Sequence, residues 1–202
     1  MDVREGRGSR PRSPRSVLVE LTEAVEERHP WTRGHARRVA DLALSVAEAL
    51  DWDDAKLAAV RAGSLLHDVG KLLLPTELLG KPGPLTEREL EDVRTHPASG
   101  ARLIAGSPKA RDAVSCVLYH HERWDGLGYP AMLDGPLIPI EARLIGLADA
   151  FDAMTSTRPY RAAMTTDAAL EELVRCSGTQ FDPVLTDECV EVWSTRALLA
   201  VS

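Results

Sequence analysis

Long apolar runs are absent from this sequence of 202 residues. A membrane-spanning helix needs roughly 18 consecutive apolar residues, and no stretch approaches that length. The N-terminus is charged and is not followed by the apolar core that a secretory signal peptide requires. These absences predict a cytoplasmic protein without a membrane anchor.

Cysteine and aromatic residues are also scarce. The chain has three cysteines, Cys116, Cys176 and Cys189, and aromatic residues make up 4% of it. The cysteines form neither a CxxC pair nor a zinc-ligand pattern, so we expect free thiols in a reducing compartment. A chain of this length can bury a core without disulfides or structural zinc.

Positive and negative charges are unevenly distributed. The net charge is −7, yet residues 1–15 contain five arginines and only two acidic residues. This segment lacks periodicity, which predicts a disordered basic tail over 1–15 and one folded domain over 16–202. The acidic remainder argues against DNA or RNA as a partner. Phosphate chemistry would therefore need a local positive charge, which metal ions can supply.

Apolar residues follow a helical period over most of the remaining chain. Two early stripes illustrate it: Val17, Leu18, Leu21 and Val25, then Val39, Leu42, Val46 and Leu50. Thr86 and Glu89 have the spacing of a capping box that starts a helix towards His96. Further helices are predicted over about 109–121, 140–154, 167–176 and 183–193. Glycine and proline clusters predict loops over 69–85 and 122–139. Because strand-like alternation is nearly absent, the predicted fold class is all-α, a single helical bundle.

The most informative segment is Leu65-Leu66-His67-Asp68-Val69-Gly70-Lys71. It places an imidazole, a carboxylate and an ammonium at the end of an apolar helix, which is costly unless these groups are compensated. A neutral imidazole can bind a divalent ion, and the two oxygens of a carboxylate can bridge two ions. A helix end that favours His and Lys through its dipole is the plainer alternative.

A second segment also places histidine next to charged residues. It reads His120-His121-Glu122-Arg123-Trp124-Asp125-Gly126-Leu127-Gly128-Tyr129-Pro130. Two adjacent histidines beside a glycine-rich loop, together with the earlier His-Asp pair, are hard to explain by packing alone.

At these motifs the chain resembles a known family. The HDxGK and HHExWDGxGYP segments are similar to those of the HD-GYP subgroup of the HD-domain phosphohydrolases. The resemblance continues through residues 81–86, the Ile138-Pro139 turn, 148–152 and 158–161. It covers roughly residues 30–190. The resemblance implies an α-helical domain with a buried binuclear metal centre.

The resemblance also implies a set of metal ligands. A first ion would be held by His35, His67, Asp68 and Asp149. Asp68 would bridge to a second ion held by His96, His120 and His121. Some members of the family hold a third metal with a Glu four residues before the first ligand His, where this chain has Trp31. We therefore expect two divalent ions, with iron or manganese favoured over nickel or zinc because no thiolate is in the set.

Further residues match positions that contact the substrate in the family. Asp68 and Lys71 are the expected catalytic residues, and Lys71, Arg158 and Arg161 would grip phosphates. Tyr129 belongs to the signature loop Gly128-Tyr129-Pro130, which we expect to shape the mouth of the site or to contact a signalling protein.

The activity that the resemblance implies is hydrolysis of cyclic di-GMP, a bacterial second messenger, to pGpG or onward to GMP. Two alternatives stay open: a phosphodiesterase for another cyclic dinucleotide or a nucleotide, and a non-catalytic module that binds signalling proteins. A homodimer is a further expectation.

Three residues near the motifs have two interpretations each. Asp152 either supports a metal ligand or stabilises its helix. Glu122 either orients a ligand histidine or caps the loop. Trp124 either stacks on guanine or packs against the fold.

Overall fold

The computed structural model describes residues 14–28, 32–108, 110–157 and 162–201, with side chains for all of these except 14–17 and 197–201. Within these ranges the chain forms helices and no β-strand, apart from an isolated bridge between Ser177 and Phe181. The all-α fold class is therefore confirmed. The predicted tail lies mostly outside the described residues; the first helix begins at Pro14, close to the boundary expected at Ser16.

Ten α-helices and three 3₁₀ helices are described. The α-helices are α1 (Pro14–Arg28), α2 (His35–Ala49), α3 (Asp54–Leu66), α4 (Thr76–Leu79), α5 (Glu87–Arg94), α6 (His96–Ile104), α7 (Val114–Tyr119), α8 (Ile140–Thr155), α9 (Thr166–Arg175) and α10 (Pro183–Val201). The 3₁₀ helices are Val69–Leu73, Arg111–Ala113 and Gly135–Leu137.

Helices α3 and α5 have side-chain caps at their starts, of which the one at Thr86 was predicted. The Asp53 side chain accepts a hydrogen bond from the Lys56 N–H at the start of α3. Thr86 and Glu89 form the complete capping box at the start of α5. Such caps satisfy backbone N–H groups that have no partner inside the helix.

Several predicted segments differ in detail from the structure. The predicted loop 122–139 contains the Gly135–Leu137 3₁₀ helix, and the helix predicted over 183–193 continues to Val201. The segment 69–85, expected to be loop, contains the Val69–Leu73 3₁₀ helix and the one-turn helix α4. The helix expected over 109–121 is shorter, because a 3₁₀ turn precedes α7 and α7 ends at Tyr119. Glycine and proline in the segment 69–85 shorten its helices but do not abolish them.

The larger hydrophobic core surrounds α8. Leu144, Ile145 and Leu147 are fully buried, and α8 packs against α2, α3, α7, α9 and α10. Burying a side chain of this size contributes about 1.5–3 kcal/mol. The central helix therefore has a fixed position, and Asp149 is held on it.

A second, smaller core lies under α6 and α7. It contains Leu66, Val69, Ile104 and Val117. Gly70 allows the closest approach in this region, since a Cβ atom built there would lie 1.9 Å from the His96 carbonyl oxygen. This contact brings the segment that follows α3 against the start of α6, and so brings Asp68 near His96.

The three cysteines are free, with Cys116 and Cys189 buried and Cys176 half-buried. Burial raises the pKa of the Cys116 thiol to about 12, so it behaves as an apolar core side chain. Across the described ranges, every helix is too short or too polar to cross a bilayer.

Candidate metal centre

Seven predicted ligands converge at the ends of helices. His35 is the first residue of α2, His67 and Asp68 follow α3, and His96 is the first residue of α6. His120 and His121 follow α7, whereas Asp149 lies within α8. Helix ends that meet at one point allow short side chains to face each other without long loops.

The ligand atoms fall into two clusters. One nitrogen or oxygen from each of His35, His67 and Asp68 lies within 4.8 Å of the others, and the same holds for His96, His120 and His121. Asp149 adjoins the first cluster, since its Oδ1 lies 3.2 Å from His35 Nε2. These groups could hold metal ions.

Asp68 lies between the two clusters. Its Oδ2 is 3.5 Å from His67 Nε2, and its Oδ1 is 3.4 Å from His96 Nε2. One carboxylate oxygen thus faces each cluster. Burial alone would raise the pKa of Asp68, but the charges of Lys71 and of the surrounding histidines lower it well below its usual range.

Three histidines are oriented by the backbone. The Nδ1–H of His67 donates to the Ser64 carbonyl at 2.8 Å, that of His96 to Val93 at 2.8 Å, and that of His120 to Val117 at 2.9 Å. A proton on Nδ1 leaves Nε2 as a bare acceptor. All three Nε2 atoms are buried without a hydrogen-bond partner among the described residues. Buried acceptors without partners are uncommon and costly, and a metal ion satisfies them.

The protonation of these histidines also suits a metal. Burial lowers the pKa of His96 to about 3 and that of His121 to about 4. Burial likewise lowers the pKa of His120, and the neighbouring histidines lower it further. Imidazoles that are neutral at physiological pH can bind a divalent ion without first losing a proton.

His35 is oriented by side chains. Its Nδ1–H donates to Asp152 Oδ2 at 2.7 Å, and Arg38 donates to the same carboxylate through Nε at 2.5 Å and Nη2 at 3.0 Å. Burial lowers the pKa of His35, but hydrogen bonds and charges from Asp149 and Asp152 outweigh burial and raise it to about 9. Of the two interpretations of Asp152, the geometry favours support of a metal ligand. Arg38 was missed in the sequence, although it lies one helical turn after His35.

Lys71 lies beside the bridging carboxylate. Its Nζ is 2.6 Å from Asp68 Oδ2, and the side chain is half-buried. Tyr129 stacks on the ring of His121 with centroids 4.9 Å apart, and the Arg94 guanidinium lies 5.6 Å from the Tyr129 centroid. The remaining predicted substrate contacts, Arg158 and Arg161, lie outside the described residues, as does Trp31.

The loop 122–139 is fixed by Glu122. The buried Glu122 carboxylate accepts hydrogen bonds from the N–H groups of Ala131 at 2.7 Å and Leu133 at 3.1 Å. Glu122 therefore caps the loop, and no hydrogen bond from it to a ligand histidine is described. A Cβ atom at Gly128 would lie 2.4 Å from the backbone nitrogen of Arg123, so the loop folds closely onto itself. The Tyr129–Pro130 peptide bond is cis.

An open cavity of about 480 Å³ adjoins the clusters. It runs from His120, His121 and Asp149 along α8 to Arg143 and the start of α10. Its walls include the aromatic side chains Trp124, Tyr129 and Phe181 and the arginines Arg94, Arg123 and Arg143. Nothing in the sequence around Arg94 or Arg143 indicates a role in this cavity, because both are brought there by long-range packing.

Comparison with known proteins identifies similar chains. The family model described as "HD domain" matches residues 20–185. The chain is 41% identical over 175 residues to the cyclic di-GMP phosphodiesterase response regulator RpfG of Xanthomonas campestris, covering 86% of this chain and 46% of that one. It is 34% identical to the 3'3'-cGAMP-specific phosphodiesterase 2 of Vibrio cholerae, covering 89% of this chain and 35% of that one. The chain thus spans less than half the length of these relatives.

A solved structure supports the fold. It is a cyclic GMP-AMP-specific phosphodiesterase of Vibrio cholerae, V-cGAP3, with a TM-score of 0.68 at 18% identity, covering 91% of this chain and 49% of that one. At this identity the match concerns the fold alone.

Proposed function

Because the chain belongs to the HD-GYP subgroup of the HD-domain family, we propose that it is a metal-dependent phosphodiesterase that hydrolyses cyclic di-GMP to pGpG, GMP or both. One observation carries the proposal. The buried Nε2 atoms of His67, His96 and His120 have no partner among the described residues and surround a carboxylate with one oxygen towards each cluster. A cavity large enough to admit a ligand opens next to them.

The proposed centre has two ions. The first would be held by His35, His67, Asp68 and Asp149, and the second by Asp68, His96, His120 and His121. When bound, two divalent ions lower the pKa of a water molecule and stabilise negative charge on phosphoryl oxygens. Imidazole and carboxylate ligands without thiolate suit iron or manganese, with nickel or zinc as less favoured choices.

The chain's own residues position the substrate around this centre. Lys71 Nζ contributes a positive charge within 2.6 Å of Asp68, where a scissile phosphate would approach. Tyr129, held against His121, forms one wall of the cavity and limits the poses of the sugar-phosphate ring. Arg158 and Arg161 are proposed as further phosphate contacts.

A second candidate substrate is 3′,3′-cGAMP. The relative in Vibrio cholerae that is 34% identical carries that specificity in its name. The proposal favours catalysis over the non-catalytic alternative, because each residue expected as a metal ligand is present in the chain and six of the seven lie in groups that could hold a metal ion. A signalling partner would dock on the loop Gly128-Tyr129-Pro130, which is flanked by the exposed apolar side chains of Leu127 and Met132.

The proposal is tested by hydrolysis of cyclic di-GMP, followed by chromatography, with protein loaded anaerobically with iron or manganese. Asp68→Ala is expected to lose bound metal and turnover together, because it removes both the bridge and the partner of Lys71. Asp187→Ala, at an exposed position on α10, is the matched control and should retain both.

The outcomes separate the parts of the proposal. Full turnover by Asp68→Ala would contradict the bridging role. Three ions per chain at full occupancy would contradict the binuclear site. Two bound ions without turnover of either cyclic di-GMP or 3′,3′-cGAMP would favour the non-catalytic alternative.

A further inference from the structure

We propose that Arg143, held between Trp124 and Asp182, forms a guanine-reading subsite in the cavity beside the metal centre. The inference rests on the proposed function and deepens it, because it names a residue that selects the base of the substrate. Arg143 belongs to neither of the two ligand clusters.

The position of Arg143 suits a base. Arg143 and Asp149 lie on the same helix, α8, and both line the cavity. They are six residues apart, which corresponds to about 9 Å along the helix axis. A phosphate at the metal ligands would therefore leave its attached nucleoside directed along α8 towards Arg143.

Arg143 is held in place by a rigid partner. Its Nη1 forms an ion pair with Asp182 Oδ2. Asp182 is buried, and its Oδ1 accepts hydrogen bonds from the N–H groups of Val184 at 2.9 Å and Leu185 at 3.2 Å at the start of α10. The carboxylate is thus fixed by a helix end, and it fixes the guanidinium in turn.

The guanidinium retains hydrogen-bonding capacity. Its carbon lies 5.5 Å from the centroid of the Trp124 ring, and its Nε is buried with no hydrogen-bond partner among the described residues. Asp182 occupies Nη1, so Nε and Nη2 are the guanidinium nitrogens for which no partner is described. A buried donor without a partner is costly, and a ligand with suitable acceptors would satisfy it.

The surroundings favour a base over a phosphate. The Asp182 carboxylate neutralises the charge of Arg143, which weakens its attraction for a phosphate. The neighbouring walls, Trp124, Ile138 and Phe181, are aromatic or apolar, and such walls suit the flat face of a base. The scissile phosphate is instead expected next to the ligand clusters, where the bound ions and Lys71 would lie.

Guanine matches the free edge of Arg143. Guanine presents two adjacent acceptors, O6 and N7, to which an arginine donates two parallel hydrogen bonds. Adenine presents an amino donor in place of O6, which would oppose an arginine donor. The subsite is therefore expected to prefer guanine, and loss of one such pair of bonds corresponds to roughly 5- to 150-fold in discrimination.

The test uses 3′,3′-cGAMP, which contains one guanine and one adenine. Hydrolysis adds water across one P–O3′ bond and leaves a 5′-phosphate and a 3′-hydroxyl, so the two possible first products are pApG and pGpA. If Arg143 binds the guanine, the metal-loaded protein cuts one bond preferentially and one linear isomer exceeds the other by at least about 5-fold. The ratio of isomers is independent of how much protein is folded or metal-loaded.

Arg143→Lys is the test variant, because lysine keeps a positive charge for Asp182 but cannot donate two parallel hydrogen bonds. It should bring the isomer ratio close to one and lower kcat/KM for cyclic di-GMP by roughly 5- to 150-fold. Arg123→Lys is the matched control. Arg123 lines the same cavity but directs its Nε and Nη2 to Asp125, so the isomer ratio should be unchanged.

Several results would overturn the inference. Equal isomers from the wild-type protein, or an unchanged excess in Arg143→Lys, would show that Arg143 does not select the base. An equal loss of activity on all substrates with an unchanged ratio would indicate a phosphate contact. If only cyclic di-GMP is cleaved, a kcat/KM of Arg143→Lys within twofold of wild type contradicts the inference. Absence of any hydrolysis would instead contradict the proposed function.

Discussion

Replacing Asp152 with asparagine tests how the metal centre is held together. The Asp152 carboxylate accepts hydrogen bonds from His35 Nδ1 at 2.7 Å, from Arg38 at 2.5 and 3.0 Å, and from Ser156 Oγ at 3.3 Å. Asparagine keeps the shape but replaces one acceptor oxygen with a donor NH₂ group. If the NH₂ faces Arg38, two donors oppose each other. If it faces His35, the imidazole proton is favoured on Nε2, which is the nitrogen that faces Asp149.

Because both orientations of the asparagine amide are unfavourable, we expect a loss of metal affinity. Loss of a carboxylate that orients a ligand histidine typically costs 10- to 100-fold in metal affinity, which corresponds to about 1.4–2.7 kcal/mol. The cost should fall on one ion. His35 belongs to the cluster with His67 and Asp68, whereas His96 and His120 are oriented by the backbone carbonyls of residues three positions earlier.

The assay is calorimetric titration of the chelated, metal-free protein with Mn²⁺. The wild-type protein should bind two ions, and in Asp152→Asn one of the two binding steps should weaken by 10- to 100-fold while the other is unchanged. Asp187→Asn makes the same chemical change at an exposed position on α10 and should match the wild type. An isotherm for Asp152→Asn that overlies the wild type, or in which both steps weaken equally, would refute the reasoning.

Other substitutions probe the supports of the site. Gly70→Ala should destabilise the protein by about 1–3 kcal/mol or more and weaken metal binding, because its Cβ would lie 1.9 Å from the His96 carbonyl oxygen. Chemical denaturation and metal analysis measure the two effects, and an unchanged stability and metal content would contradict the prediction. Glu122→Ala should leave two backbone N–H groups without their acceptor, lower the stability of the protein by about 1–3 kcal/mol and speed proteolysis within 122–139. Equal cleavage rates in the variant and the wild type would show that Glu122 does not hold the loop. Leu147→Ala in the core should cost about 2–5 kcal/mol in chemical denaturation, whereas Val174→Ala, 53% exposed, should change stability by less than about 0.5 kcal/mol.

The features that could be predicted from the sequence are those with local causes. The capping box of Thr86 and Glu89 depends on two residues three positions apart, and it is present. Apolar periodicity gave the helical class because it reflects the burial of one helix face. The short 3₁₀ turn after Asp68 was not predicted, since its stability depends on packing against α6.

The candidate ligands were found through family motifs, but the residues that orient them were not. The sequence left Asp152 and Glu122 with two interpretations each, because the choice depends on distances between residues far apart in the chain. Asp152 and His35 are 117 positions apart, and Glu122 meets backbone groups 9 and 11 positions later. Arg143 had no sequence signal, because its partner Asp182 is 39 positions away.

The four histidines with described Nδ1 partners differ in what orients them, and this difference explains why Asp152 is needed. His67, His96 and His120 each donate from Nδ1 to the carbonyl three residues earlier, so one turn of backbone sets the tautomer and leaves Nε2 for a metal. His35 is the first residue of α2, and Gly34 before it has a φ of 74°. Gly34 thus interrupts the helical path before His35, and the described partner of its Nδ1 is the Asp152 carboxylate rather than a backbone carbonyl. A carboxylate from another helix must then set the tautomer, and Arg38 on α2 in turn holds that carboxylate. Substituting Asp152 should therefore affect one ion, whereas backbone carbonyls orient His96 and His120 beside the other.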